Sequence, residues 1–483
     1  MLWLALHLPQ LPLLALTRGS DDTGKAVAIH ETRRQRPVIC SSNPDAAALG
    51  IHPGMTLAAA RSLSTSLLAI PRDPRMETTT LQQLAAWSQQ FTATVCLDSN
   101  SLLLEIGGSL KLFGGLAVLR KQISHEALQL GYPHTVGIAP TPLAALWLAR
   151  AHQPQPVVDR SQLQPTLARL PLHILPCPER QLEKLQGMGC RKLGHLFRLP
   201  RAGLARRMGV DFVQLLDRAL GQLPDPRTPW QPPPGFDSQI LLSEPVSSIE
   251  PLFFLLQRLL LELGGFLRGH GAGATTLYLN LLHPRQPASE VMLALRKPSG
   301  DTSHLLSLWW EKLENTVLSD PVEGLRLHTD KLQKLTPGTA DLLDASPHGE
   351  QDLELLLERL QTRLGADNIR LLQLQADHRP ELAATAHSIF SGRTPSSGNN
   401  TVTGMRPLWL LKSPQPLHSR NGLPQLNGPL QLLQGPERIE TGWWDRQDTR
   451  RDYYIATNNR QQTLWIYRNR GNGNSWFLHG YFS

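Results

Sequence analysis

Between Lys184 and Val210 the chain carries seven basic residues, Lys184, Arg191, Lys192, Arg198, Arg201, Arg206 and Arg207, and no acidic one. A block of one sign spread over two or three short helices suits contact with a phosphate backbone, because each neutralised phosphate releases condensed counterions. A solvated face with no partner would have the same composition. The turn Gly187-Met188-Gly189 adds backbone amides that can also meet phosphate. A second stretch lies near the C-terminus, where aromatic residues alternate with Arg446, Arg450, Arg451, Arg460, Arg468 and Arg470. Such rings can stack bases of single-stranded nucleic acid. The same alternation builds the core of a small β-module, and core is the reading preferred for most of them. The candidate residues for a protein partner here are Trp443, Trp444, Arg451, Tyr453, Tyr454, Trp465 and Trp476. His378, in Asp377-His378-Arg379-Pro380-Glu381, reads as part of a turn held by local hydrogen bonds.

Other chemistry has little support. GxxxxGK[ST], HExxH and GxSxG are absent, which removes the sequence basis for P-loop, zincin and hydrolase-elbow sites. Cys40, Cys96, Cys177 and Cys190 show no paired CxxC spacing, so neither a zinc site nor a disulfide framework is expected, and a reducing cytoplasm is the simplest setting. With 483 residues, 41% hydrophobic and 18% charged, the chain has apolar content for several cores and about three to five domains. The formal charge, 48 − 40 = +8, fits a polyanionic partner. No stretch approaches the ~18 uninterrupted apolar residues of a spanning helix. Met1 to Leu16 lacks a basic leader and is broken by His7, Pro9, Gln10 and Pro12, so Leu2–His7 reads as a buried strand.

The elements that must position these residues follow in order. Strands are expected at Leu2–His7, Ala26–His30, Pro37–Ser41, Ser101–Ile106 and Thr135–Ile138. Helices are expected after Asn43, after Pro53-Gly54, and over Thr78–Phe91, Leu116–Leu130 and Pro142–Ala151. That alternation predicts an α/β sheet with helices on one face. Residues 157–223 read as short helices closed by a proline-rich linker, Pro224 to Pro234. A long helix, Ser248–Leu263, then a glycine-rich stretch over 264–273 and a strand–strand–helix–strand pattern form a separate α+β module over 236–335. A second linker, Pro337 to Glu350, precedes a helix over Leu353–Leu364, and Gly392–Thr403 is a Ser/Gly/Asn stretch. Tyr453–Ala456, Leu464–Tyr467 and Trp476–Tyr481 form a β-meander.

This order of modules resembles the Y-family (DinB/UmuC-like) translesion DNA polymerases. The residues that carry the resemblance are Val38-Ile39-Cys40-Ser41-Ser42-Asn43, Gly50-Ile51-His52-Pro53-Gly54-Met55 and Gly137-Ile138-Ala139-Pro140-Thr141-Pro142. It implies an α+β multidomain fold. Palm and fingers would occupy 1–156, with the fingers at about 10–72, a helical thumb 157–223 and a little finger 236–335. Beyond these come a linker and helix over 336–383 and a C-terminal region, 384–483, that meets partners. In that family a carboxylate pair on the first strand and a later Asp-Glu pair hold two metal ions. The corresponding positions here are Ala5 and His7, and Asn100 and Ser101, none of them acidic, so no metal or other cofactor is expected. Asp98 and Glu105 are the nearest substitutes, and an active error-prone polymerase using them is the alternative.

Loss of the carboxylates together with a long C-terminal extension resembles the ImuB group of Y-family-like mutagenesis proteins. The matching segments include Leu110-Lys111-Leu112-Phe113-Gly114-Gly115, Leu199-Pro200-Arg201, Asp377-His378-Arg379-Pro380, Gly442-Trp443-Trp444-Asp445 and Trp476-Phe477-Leu478-His479-Gly480. The resemblance implies an inactive adapter in damage-induced (SOS) mutagenesis. Its expected partners are primer-template DNA, the sliding clamp, a C-family error-prone polymerase and a RecA-like ImuA protein. The clamp peptide would fall at Thr339, Ala340, Asp341, Leu342 and Leu343, which keep Asp-Leu and an apolar end but lack the family's glutamine and aromatic. Gln351-Asp352-Leu353-Glu354-Leu355 is a second candidate, and its spacing equally suits the opening of a helix.

Overall fold

The computed structural model describes residues 1–19, 24–314, 316, 318, 320–335, 347–365, 368–388, 405–445, 448–471 and 473–482. The chain divides into two compact units, Met1–Arg363 and Leu364–Ser483.

The first unit opens with β1 (Trp3–His7) and α1 (Leu11–Thr17). A three-stranded sheet follows, built from β2 (Val27–Arg33), β3 (Arg36–Ser42) and β4 (Leu68–Pro71), with the short helices α2 (Pro44–Ala48) and α3 (Leu57–Leu63) between the last two strands. Asn43 caps α2 by accepting from Ala46 N–H and also accepts from Val27 N–H at 3.0 Å, so one side chain fixes the helix start against β2. After α4 (Pro74–Ser88), capped by Asp73, come β5 (Val95–Asp98), β6 (Ser101–Glu105), α5 (Leu116–Gln129), β7 (Thr135–Ala139) and α6 (Pro142–Arg150).

Strands β5, β6, β1 and β7 form one sheet in that order, antiparallel throughout, with β1 at its centre. Every residue of β1 is buried, because alternate side chains enter two different cores. Leu4, Leu6, Leu102 and Leu104 pack under α4 and α5, while Trp3, Ala5 and Leu103 pack under α6. Helices therefore cover both faces, not the single face expected from the sequence. The near-continuous apolar run Leu2-Trp3-Leu4-Ala5-Leu6 is the local sign of this.

Short helices α7 (Leu163–Ala168), α8 (Glu179–Gly187), α9 (Leu193–Phe197), α10 (Arg201–Met208) and α11 (Val210–Ala219) follow, sharing the α6 core through Leu167, Leu185, Leu193, Leu204 and Leu216. The proline-rich stretch after them is anchored. Trp230 N–H donates to Val95 C=O at 2.7 Å, and Arg227 reaches Asp98.

The next module is a sheet of β8 (Phe236–Val246), β9 (Ala272–Leu282), β10 (Ser289–Ser299), β11 (Val322–Thr329) and β12 (Leu332–Lys334), backed by α12 (Glu250–His270) and α13 (Thr302–Leu313). Helix α12 does not stop at Leu263. It runs through Gly264, Gly265 and Gly269 to an αL cap at Gly271. Each interior glycine costs about 1 kcal/mol in helix propensity, and close packing offsets it, with Gly264 against Thr302 and the other two against α4. A Cβ on Gly265 would collide with the Trp87 ring, and one on Gly269 would lie 3.0 Å from the Gln89 backbone. Helix α12 also buries an ion pair of its Glu262 with Arg18, at the end of α1, and the second Glu262 oxygen accepts from Ser238 Oγ at 2.5 Å. Helix α14 (Pro347–Leu364) completes this unit, its Glu358 accepting from Arg296 N–H at 2.8 Å and lying 2.8 Å from His304.

The second unit holds a hairpin, β13 (Arg370–Leu374) with β14 (Ala384–Ser388), and a six-stranded antiparallel sheet. The sheet consists of β15 (Trp409–Arg420), β16 (Leu423–Gln425), β17 (Gln431–Thr441), β18 (Thr449–Thr457), β19 (Thr463–Asn469) and β20 (Trp476–Tyr481). The last three are the expected meander. Strands β15 and β17 were hidden by Pro414, Pro416 and Pro436, which break apolar alternation. The structure places Pro414 and Pro436 at register shifts, with Pro436 on the edge strand β17, and pairs Pro416 with Phe477 in β15. Among the described residues no helix is long and apolar enough to cross a membrane.

Candidate functional site

The antiparallel register sets His7 opposite Ser101 on one side and Thr135 on the other. His7 Nδ1 lies 2.9 Å from Ser101 Oγ, and Ser101 Oγ donates to Asn100 Oδ1 at 3.4 Å. Asn100 C=O also accepts from Leu8 N–H at 2.9 Å. Three of the four positions aligned with metal-binding carboxylates are thus tied to one another. The fourth, Ala5, is fully buried against the α6 core and offers no ligand atom.

Next to this cluster stand two cations. Asp98 Oδ1 lies 3.5 Å from Arg150 Nη2, and its Oδ2 lies 3.1 Å from Arg227 Nη1. Arg227 also grips Asp225 through two 3.1 Å hydrogen bonds. Glu105 sits at the far end of β6, accepting from Leu2 N–H at 3.1 Å and Gly107 N–H at 3.2 Å. Asp98 pairs with Ser101 at the near end, so roughly 13 Å of strand separates the two carboxylates at ~3.3 Å per residue. Two catalytic metals sit about 4 Å apart. Asp98 and Glu105 are therefore not brought together, and these residues do not fit a two-cation site. Among the described residues no group of three or more His, Cys, Asp or Glu side chains could hold a metal ion.

Burial, with the nearby charges of Arg150 and His152, pushes the His7 imidazole down to about 4, against smaller opposing effects of Asn100 and Asp98. Its folded value lies below its unfolded value of ~6.5, so the unfolded chain binds the proton first as pH falls. The neutral-His7 contribution is complete above pH ~6.5 and is lost on descent towards pH 4, up to roughly 3 kcal/mol. Denaturant unfolding at several pH values should show this slope reduced in His7→Gln. Identical slopes in both proteins would refute it.

The basic block divides when seen in three dimensions. Lys184, Arg191, Lys192, Arg198, Arg206 and Arg207 are exposed. Arg201 is half-buried and pairs with Asp217 at 2.5 Å, tying α10 to α11, so it is a structural cation and not a free phosphate contact. Arg207 Nη1 lies 3.0 Å from Met188 Sδ, which brings α10 to the turn that follows Lys184 and precedes Arg191 and Lys192. The amides of that turn are not available to phosphate. Met188, Gly189 and Cys190 donate to the carbonyls of Lys184 and Leu185, Gln186, and Leu185. What the turn offers is side-chain charge.

In the second unit Tyr453, Trp465 and Trp476 are buried, and Tyr454 is half-buried against Trp476. Tyr453 stacks on Trp465 with ring centroids 4.1 Å apart, and its hydroxyl lies 2.8 Å from His479 Nδ1 and 3.1 Å from Arg451 Nη1. Arg451 in turn holds Glu381 at 2.9 Å. Tyr453, Trp465 and Trp476 thus pack in the core of the sheet, out of a partner's reach, while Arg451 is half-buried and engaged by Tyr453 and Glu381. Trp443 and Trp444 differ, at 79% and 58% exposed, and they meet edge-on at 5.6 Å. The segment around His378 is a turn, but its fastener is Arg379. This buried guanidinium lies 2.7 Å from both Asp377 and Asp445 and 6.0 Å from the Trp444 ring. The sequence showed the Asp377–Arg379 spacing. The long-range partner, Asp445, was invisible in it.

The first clamp-peptide candidate, Thr339 to Leu343, lies outside the described residues, as does Arg446. Gln351 to Leu355 lie within α14.

Residues 17–150 match the impB/mucB/samB family. The chain is 26% identical over 459 residues to Protein ImuB of Caulobacter vibrioides, covering 90% of this chain and all of that one. It is also 24% identical over 203 residues to DNA polymerase IV of Shewanella oneidensis, covering 41% of this chain and 57% of that one. Among solved structures, DinB from Sulfolobus solfataricus is covered in full by 70% of this chain at 14% identity, with a TM-score of 0.40. Residues 17–150 thus form an impB/mucB/samB-family domain within a chain that is similar to ImuB over 90% of its length.

Proposed function

We propose that this protein is a Y-family-polymerase-like adapter in damage-induced mutagenesis that binds primer-template DNA without transferring nucleotides. The observation that carries this reading is the state of the metal position. Ala5 has no ligand atom, His7 and Ser101 bond each other, and the neighbouring carboxylate, Asp98, is held by Arg150 and Arg227. A polymerase of this class needs that position to stabilise both the attacking and the leaving oxygen with two cations. Similarity to ImuB and to DNA polymerase IV supports the DNA-related part.

In this reading residues 1–156 are a degenerate palm and fingers, 157–223 a thumb and 236–335 a little finger. DNA is held by Lys184, Arg191, Lys192, Arg198, Arg206 and Arg207 without regard to sequence. The C-terminal region recruits an error-prone C-family polymerase and a RecA-like ImuA protein, with the exposed Trp443 and Trp444 as contact residues. The sliding clamp is engaged through 339–343.

The test is primer extension by the full chain with Mg²⁺ and then Mn²⁺, alongside gel-shift binding on the same DNA. Binding without extension is the expected result. Extension that disappears in Asp98→Ala would overturn the reading and make the chain a working polymerase.

A further inference from the structure

The β2–β3 hairpin breaks two local rules at one place. Strand β4 pairs with β2 only from Val27 to His30, so Glu31 to Arg33 and Arg36 to Val38 continue past that strand as a two-stranded ribbon. At its end the two central turn residues, Arg34 and Gln35, have φ angles of 48° and 63°. A two-residue turn of this kind favours Asn-Gly, because other side chains are strained in the left-handed region. Arg33 also faces Arg36 directly across the ribbon, and like charges set opposite each other are destabilising. Stability alone selects neither feature, and local strain of this sort gathers where a segment meets a ligand.

The charges at the tip are accessible. Thr32 to Pro37 are six consecutive exposed residues. Arg33 is paired with Glu31, whose other oxygen is held by Arg72 at 2.7 Å. Among the described residues Arg34 and Arg36 make no ion pair. Asp21 and Asp22 precede the opposite end of β2, and at ~3.3 Å per residue Val27 stands roughly 20 Å from Arg33.

We propose that this ribbon holds the phosphate backbone of a DNA strand, as a second contact apart from the basic block at 184–207. Guanidinium groups suit this because they pair with phosphate through two parallel hydrogen bonds. Apart from Pro37 the tip has no apolar residue, whereas protein interfaces are anchored by well-packed aromatic and arginine side chains in desolvated pockets. An acidic protein surface is therefore the poorer fit. The phosphates can belong to an unpaired template or to a duplex, whose major groove admits a two-stranded ribbon. The proposal rests on the reading of the chain as DNA-binding, and not on its lack of catalysis.

The experiment compares the full chain with an Arg34→Asn, Gln35→Gly, Arg36→Gln variant by fluorescence anisotropy over a salt series, on a labelled duplex and on a primed template with a single-stranded overhang. The variant should melt no lower than the wild type, since Asn-Gly suits the turn and the repulsion between Arg33 and Arg36 is gone. It should nevertheless bind about tenfold more weakly at ~0.1 M salt, with the slope of log K against log salt lowered by about 1.4 to 1.8 for two lost contacts. A loss confined to the overhang DNA assigns the ribbon to the single strand, and a loss on both assigns it to the duplex. Arg34→Lys with Arg36→Lys should keep most of the affinity, and a labelled decaglutamate peptide should bind far more weakly than either DNA. Unchanged affinity and slope in the first variant, while the wild type binds DNA, would overturn this proposal alone. A wild type that binds neither DNA would overturn the DNA-binding reading with it. Decaglutamate binding as tight as that of DNA, and lost in the variant, would overturn the assignment in favour of an acidic protein.

Discussion

Replacing Arg191, Lys192 and Arg207 together by glutamate should lower affinity for a primer-template duplex by roughly 100-fold at ~0.1 M salt and flatten the salt dependence. The expectation follows from counterion release, in which each phosphate contact contributes about 0.9 to the slope of log K against log salt. Three lost contacts should lower that slope by nearly 3. The three residues are chosen for their place, since the contact of Arg207 with Met188 gathers them at one turn and, among the described residues, none is committed to an ion pair. Because the amides of that turn are already bonded internally, no backbone contact remains to compensate. Arg201 belongs outside the set. Reversing it would set a carboxylate against Asp217 and loosen the α10–α11 packing, so a loss of binding there would report on the fold. A triple variant that melts like the wild type and binds with an unchanged salt slope would refute the assignment.

Removing one partner of the buried Arg18–Glu262 pair should produce the largest stability effect in the first unit. Both side chains are nearly inaccessible, at 5% and 1% exposed. Glu262→Ala leaves the Arg18 guanidinium buried beside Arg258 without a counter-charge and leaves Ser238 Oγ without its acceptor. Breaking such a pair costs about 3–5 kcal/mol. Denaturant unfolding followed by tryptophan fluorescence should show the loss. The double variant Arg18→Met, Glu262→Leu should recover most of it, because two apolar side chains of similar volume remove both desolvation costs. A Glu262→Ala protein within about 1 kcal/mol of wild type would mean that water or another group meets the Arg18 charge, contrary to a buried pair.

Residue patterns close in the chain were legible. The strand at Trp3–His7, the α4 to α6 segments and the last three strands were read within a few residues of their observed limits, since each has a regular apolar period and a clear cap or turn. Helix α12 beyond Leu263 was not legible. Propensity alone ends a helix in a glycine run, and only the approach of α4 explains why this one continues. Strands β15 and β17 escaped because their prolines argue against a strand, whereas in the sheet Pro414 and Pro436 fall at register shifts and β17 is an edge strand.

The same division holds for the sites. Residue type determined that Ala5, His7, Asn100 and Ser101 carry no carboxylate, and it determined the one-signed block from Lys184 to Arg207. Tertiary structure decided the rest, because burial and pairing depend on residues far apart in the chain. It placed Asp98 between Arg150 and Arg227 and out of reach of Glu105. It withdrew Arg201 into an ion pair with Asp217 and buried Tyr453, Trp465 and Trp476 while leaving Trp443 and Trp444 exposed. A side chain's chemistry is written in the sequence, whereas its availability is fixed by which distant groups the fold sets against it.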